Sequence, residues 1–263
     1  MTPLEIRTLD KYILRHCVPI ISTQTADGLA AIHGSGVFYE HDGRLFLLTA
    51  AHLYERGTDL KQFATPLSPT SREIWTLGSL DRHAPVDDNQ FDIMALEIFS
   101  QDVAAKIRAG WGVLHSRHVG IPTPAPGPAF ILSGYPNALA RATDEWLIGT
   151  PVSIYTAILP EVPTNADQPT DPSVDQFYLC DDSAETIQGR TLTVPALEGM
   201  SGGPVWQLRE PGPDEAWAPE TMLRLVGLIS RYRAGEYARA KSWALATQIL
   251  TTLDEERARE ALT

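Results

Sequence analysis

The chain predicts an all-β fold of two sets of antiparallel strands, each of about barrel size, followed by a C-terminal α-helix, and three features of it predict this. Short apolar runs of strand length recur with Gly, Pro, Asn and Asp between them. A proline-rich stretch near the middle divides those runs into two sets of about barrel size. Only towards the end does the apolar spacing change to a helical repeat.

In the first half the runs are Tyr12 to Ser22, Gly36 to Tyr39, Leu45 to Ala50, Arg72 to Leu77 and Phe91 to Ile98. Asp42-Gly43 lies between the second and third, and this dipeptide suits a two-residue hairpin turn. Gln101 to Ala109 reads as a short helix. Residues 119–128, Val-Gly-Ile-Pro-Thr-Pro-Ala-Pro-Gly-Pro, cannot continue a ladder or a helix because alternate positions lack an N–H. They read as a linker, which makes residues 1–118 the first barrel. Beyond it come Ala129 to Ser133, Trp146 to Leu159, Gln176 to Cys180, Pro204 to Leu208, Leu223 to Ser230 and Ser242 to Ala246, the strands of a second barrel over residues 129–246. Residues 160–175 and 209–221, rich in Pro, Asp and Glu, read as surface loops. From Thr247 onward Ile249, Leu250, Leu253, Ala258 and Ala261 recur at helical spacing among charges, so residues 247–263 are the terminal helix.

At 263 residues and 43% hydrophobic content the chain can bury a large core. Its net charge of −12 disfavours nucleic acid as a partner, since phosphate binding needs clustered Lys and Arg. No run approaches the length of a membrane span, and Met1-Thr2-Pro3-Leu4-Glu5-Ile6-Arg7 lacks the apolar segment of a secretion signal. Cys17 and Cys180 are the two cysteines, and they are read as free thiols in a reducing, cytoplasmic compartment. Neither has metal-ligand spacing to another Cys or to a His.

Chemistry concentrates in residues 198–205, Glu-Gly-Met-Ser-Gly-Gly-Pro-Val, which set Ser201 on a glycine-flanked turn. A serine hydroxyl is a weak nucleophile until a base takes its proton. His52 ends the apolar run Leu47-Leu48-Thr49-Ala50-Ala51, and Asp92 leads the apolar strand Ile93-Met94-Ala95-Leu96. Asp87 and Asp88 lie nearby in the polar loop Pro85-Val86-Asp87-Asp88-Asn89-Gln90; a carboxylate that orients an imidazole works from a buried position, which favours Asp92. Gly199-Met200-Ser201-Gly202-Gly203 also fits the serine elbow of α/β-hydrolases, but there the histidine follows the serine, and none of the seven histidines does so here. Pro204 and the strand pattern after it also argue against a serine that opens a helix, as in the α/β-hydrolases and the subtilisins.

In the order His, Asp, Ser, these three segments resemble the chymotrypsin/trypsin-like serine proteases. The resemblance implies an all-β fold of two antiparallel six-stranded β-barrels, the chymotrypsin-like double barrel, with a C-terminal α-helix, and a serine endopeptidase acting on a protein or peptide substrate without metal or organic cofactor. In it Ser201 is the nucleophile, His52 the general base and then acid, and Asp92 the group that fixes the His52 tautomer. The backbone N–H groups of Gly199 and Ser201 form the oxyanion hole. An esterase using the same three residues, or a silent binding module that keeps the cleft, is the alternative. Zymogens of the family carry an aspartate just before the serine; Met200 stands there, so activation by N-terminal trimming is not expected. The specificity pocket falls on Pro195 and Ala196 and on Ser230, Arg231 and Tyr232. No acidic residue waits there for Arg or Lys, Tyr232 narrows the pocket, and strand alternation leaves Arg231 and Arg233 on the rim, so cleavage after Ala, Val or Leu is expected. An active leaderless protease would need restraint, and a regulatory partner protein is expected on that ground.

Overall fold

The computed structural model describes residues 1–22, 30–54, 60–85, 91–123, 129–142, 147–181, 183–189, 191–193, 197–210, 212 and 214–262. The chain opens on a helix, α1 (Pro3–His16), so the strand expected from Tyr12 to Ser22 holds only for β1 (Val18–Ser22). The helix start is written locally. The Thr2 hydroxyl accepts from the Glu5 N–H, the Glu5 carboxylate accepts from the Thr2 N–H, and Pro3 sits in the first turn. Leu9, Ile13 and His16, spaced as one helical face, are its buried residues.

The first sheet is built from β1, β2 (Ala31–His41), β3 (Arg44–Thr49), β4 (Phe63–Pro66), β5 (Ile74–Thr76), β6 (Leu80–His83), β7 (Met94–Ile98) and β8 (Val113–Leu114). It runs in the order β5-β4-β1-β2-β3-β7-β6 and curls into a half-barrel. Among the described residues it holds eight strands where six were expected: between β3 and β7 three short strands, β4, β5 and β6, form where only the one run Arg72 to Leu77 was read, and the two-residue β8 returns from helix α2 (Gln101–Gly110) to pair in parallel with β2. Asp42 and Gly43 both take positive φ, 48° and 74°, in the predicted hairpin between β2 and β3.

The second sheet takes β9 (Phe130–Gly134), then β12 (Val152–Thr156), β13 (Asp175–Leu179), β16 (Pro204–Leu208), β17 (Leu223–Arg233) and β18 (Tyr237–Ser242), in the order β12-β9-β16-β17-β18-β13. The chain just past β12 meets β13: Leu159 N–H donates to Phe177 O at 2.7 Å and Leu179 N–H to Ala157 O at 2.9 Å, which closes the barrel. Two small ribbons lie off it, β10 (Ala140–Ala142) with β11 (Leu147–Gly149) and β14 (Ser183–Glu185) with β15 (Thr191–Thr193). The expected strand Ser242 to Ala246 is overturned. Ser242 ends β18 and caps the terminal helix, its hydroxyl accepting from Ala244 N–H at 3.3 Å, so the helix begins at Trp243 rather than Thr247. A short helix α3 (Pro219–Met222) interrupts the loop before β17, and the terminal helix is α4 (Trp243–Glu260).

Each barrel has its own apolar interior, Phe38, Leu47, Leu96 and Trp111 in the first and Phe130, Tyr178, Met200 and Val226 in the second. A third cluster joins the barrels: Leu9 and Ile13 of α1 and Trp243 and Leu250 of α4 pack with Phe46 and Trp206. Each such fully buried aliphatic or aromatic side chain stabilises by about 1.5–3 kcal/mol, so the two helices hold the barrels together. Cys17 and Cys180 are free and buried, and burial pushes the Cys17 thiol pKa up. No helix among the described residues is long and apolar enough to cross a membrane.

Candidate active site

His52 leaves the first barrel on a single 3-10 turn, Ala51–Leu53, directly after β3. Asp92 stands two residues before β7 in a left-handed conformation, φ 42°, which a non-glycine residue adopts only when its surroundings hold it. Three hydrogen bonds do so. Asp92 Oδ1 accepts from the His52 backbone N–H at 2.9 Å, and His52 Nδ1 lies 2.9 Å from Oδ1 and 3.0 Å from Oδ2. The carboxylate is buried, whereas the His52 side chain is 40% exposed, so one edge of the imidazole is held by protein and the rest is open to solvent. Asp87 and Asp88 lie outside the described residues.

Ser201 sits on a turn pressed against the first barrel. Gly199 and Gly202 take φ of 92° and 80°, and a Cβ on Gly202 would overlap Ser35 O and the Thr49 hydroxyl at the end of β3. The contact is stitched by Ser35. Its N–H donates to Ser201 O at 2.8 Å, its hydroxyl donates to Gly199 O at 2.8 Å and accepts from Tyr135 N–H at 3.0 Å, and its carbonyl accepts from the Thr49 hydroxyl at 2.6 Å. Sequence reasoning missed Ser35. The signal for it was the polar residue inside Gly34-Ser35-Gly36, where glycines in a strand mark close backbone approach.

Within the turn Met200 N–H donates to Leu197 O, Gly202 N–H to Ile229 O and Gly203 N–H to Met200 O. Among the described residues the N–H groups of Gly199 and Ser201 have no acceptor. Met200, where the zymogen aspartate would stand, is fully buried in the second barrel's core. The Ser201 hydroxyl itself donates to Ser230 O at 3.4 Å.

Ser230 is buried on β17, and its own hydroxyl donates to Arg239 O at 3.3 Å. Arg231 is exposed, as strand alternation predicts, yet its Nε lies 4.0 Å from Asp92 Oδ2. Tyr232 packs half-buried against the second barrel's core, and Arg233 turns away to donate to Asn165 O at 2.5 Å. Pro195 and Ala196 lie outside the described residues. Two strands over from β17, on β13, the buried Asp175 carboxylate binds two cations of the intervening β18: Arg239 donates to it through Nε (2.9 Å) and Nη2 (2.5 Å), and Lys241 Nζ lies 2.6 Å away. Burial pushes the Lys241 ammonium pKa down against the pull of that carboxylate.

As for metals, His41, Asp42 and Asp254 bring ligand-type atoms within 4.8 Å of one another among the described residues. Asp254 is already bonded to His41, at 2.6 Å, and to Arg44, and the cluster lies at the β2–β3 hairpin rather than in the cleft.

No family model matches the chain, and no curated protein matches it. Among solved structures it is similar to the serine protease domain of the Sesbania mosaic virus polyprotein, at 13% identity over 88% of this chain and 91% of that one, TM-score 0.48. It is also similar to the thermostable serine protease AL20 from an extremophilic microorganism, at 14% identity over 91% of this chain and 95% of that one, TM-score 0.48.

Proposed function

We propose that the protein is a serine endopeptidase that cleaves peptide bonds through an acyl-enzyme intermediate. One observation carries the reading: a buried carboxylate, Asp92, bonded to Nδ1 of a half-exposed imidazole, His52, beside the turn that carries Ser201. With the Nδ1 proton held by Asp92, the lone pair of His52 is on Nε2, where it can take a hydroxyl proton. Ser201 Oγ attacks the substrate carbonyl carbon as His52 accepts that proton, and the carbonyl oxygen becomes an anion that accepts from the Gly199 and Ser201 N–H groups. The C–N bond then breaks as His52 returns the proton to the leaving amine, and water repeats the sequence to release the acid. Before attack the Ser201 hydroxyl must rotate away from Ser230 O. Tyr232 narrows the wall expected to receive the residue before the cut, which supports cleavage after Ala, Val or Leu.

Labelling with a fluorophosphonate tests the reading. Wild type should be labelled and Ser201→Ala should not. Absence of labelling in both would favour the second reading, a silent binding module, which the Ser201–Ser230 hydrogen bond supports. A peptide library then separates an endopeptidase from an esterase, and a dominant preference for Arg, Lys, Asp or Glu would overturn the specificity. Cytoplasmic residence and restraint by a partner protein belong to the same proposal; ready hydrolysis of casein by the isolated chain would argue against restraint.

A further inference from the structure

A second cleft, of about 450 Å³, opens where α1 meets β8, the 3-10 turn Ser116–His118 and α3. Its wall includes His118, which is only 6% exposed. The Nδ1 atom of His118 accepts from the His115 backbone N–H at 2.9 Å. A neutral imidazole carries one proton, so here it is on Nε2. Arg117 Nε, which is always a donor, lies 3.2 Å from that same Nε2. Two N–H groups therefore point at one another and cannot bond. If the exposed Arg117 side chain swings aside, an oxygen acceptor can enter and take both protons.

Charge in the cleft runs the same way. Arg117 and Arg15 both line it, and among the described residues neither makes an ion pair, whereas the neighbouring Arg108 is held by Glu40 at 2.9 Å. Glu220 is the remaining carboxylate of the wall. In a chain of net charge −12, two unpaired guanidiniums beside a buried imidazole are a local reversal of sign. Burial, followed by the nearby Arg117 and His16, holds the His118 pKa down to about 4, so the ring is neutral when the cleft is empty.

We propose that this cleft binds a phosphate-bearing ligand, with phosphate oxygens accepting from His118 Nε2–H and Arg117 Nε–H and with Arg15 adding charge. Phosphate suits it better than a carboxylate because it offers three or more oxygens and close to two charges to two guanidiniums and an imidazole N–H. The volume leaves room for an organic group. The proposal is independent of the peptidase reading, since no residue of the cleft belongs to the His52–Asp92–Ser201 site.

Inorganic phosphate and glycerol 3-phosphate should each bind the full chain at a single saturable site below about 10 mM, followed by calorimetry and by movement of the His118 ring resonances in NMR. Arg117→Gln, at an exposed position, should weaken binding by about tenfold or more, and Arg233→Gln, far from the cleft, should leave it unchanged. Glycerol 3-phosphate binding the more tightly would identify an organic phosphate as the ligand, and inorganic phosphate the free ion; both support the site. Unmoved His118 resonances, undiminished binding by Arg117→Gln, equal loss in Arg233→Gln, or acetate binding as tightly as phosphate would each overturn the proposal.

Discussion

Replacing Asp92 by Asn separates the electronic part of the site from its scaffold. The side-chain shape is kept, and Asn tolerates the left-handed φ of 42° at this position at least as well as Asp. An amide oxygen at the Oδ1 position can still accept the His52 backbone N–H and lies 2.9 Å from Nδ1, but the amide nitrogen at the Oδ2 position, 3.0 Å from Nδ1, brings a donor to that same ring nitrogen. The imidazole responds by moving its proton to Nε2, so it can no longer take the Ser201 proton. In serine proteases with a Ser-His-Asp triad this change lowers kcat by about 10⁴, or roughly 5 kcal/mol of transition-state stabilisation at 1.36 kcal/mol per decade. The cost in folding is smaller: one charge-assisted hydrogen bond of about 1.5–3 kcal/mol, plus at most about 1 kcal/mol from the exposed Arg231, which loses a carboxylate 4.0 Å away. For a chain of this length that lowers the melting temperature by roughly 2–4 °C per kcal/mol. The assay is kcat/KM on a cleaved peptide together with the rate of fluorophosphonate labelling, both on protein shown folded by circular dichroism. A loss under about tenfold in the folded variant, or loss in Asp88→Asn but not in Asp92→Asn, would refute the assignment of the carboxylate.

Three further outcomes are expected. Gly202→Ala should destabilise by about 3 kcal/mol or more, because φ of 80° strains an L-residue and its Cβ would overlap Ser35 O and the Thr49 hydroxyl; a melt equal to wild type would show that the turn is not pressed there. Asp175→Asn should cost roughly 3–5 kcal/mol by leaving Arg239 and Lys241 buried without their counter-charge, read as a lower denaturant midpoint at unchanged slope, and an unmoved midpoint would show that carbonyls such as Pro169 O suffice for Arg239. Burial holds the His16 pKa down from 6.5 to about 4, so the unfolded chain binds the extra proton between those values: stability is full above pH 6.5 and is lost as pH falls towards about 4. His16→Gln should flatten that part of the profile in melts across pH, and an unaltered slope would place the acid sensitivity elsewhere.

Local chemistry was legible wherever one short segment contains its own cause. Asp42-Gly43 turned the predicted hairpin because both residues accept positive φ, and β16 fell on Pro204 to Leu208 as expected because its apolar residues need no distant partner to favour extension. The N-terminal helix was encoded just as locally, in Thr2, Pro3 and Glu5, but the apolar run Tyr12-Ile13-Leu14 leads into Cys17 to Ile21 and mimics one long strand. Ser242 likewise serves two periods at once, last residue of β18 and cap of α4, so composition alone put the boundary too late.

The sequence by itself determined the two strand sets and the terminal helix and singled out the candidate serine, histidine and aspartate, since strand pattern and chain order are properties of neighbours along the chain. Tertiary structure alone decided that Ser35 stitches the Ser201 turn to β3, that Arg231 reaches back to Asp92, and that Arg117 faces the buried edge of His118. Of these contacts, the ones between barrels join residues more than a hundred positions apart and follow from how the barrels dock; the Arg117–His118 contact depends on how a tight turn is buried under α1. Neither docking nor burial leaves a periodic mark on the chain, because a single hydrogen bond across a packed interface constrains one residue and not a pattern of them.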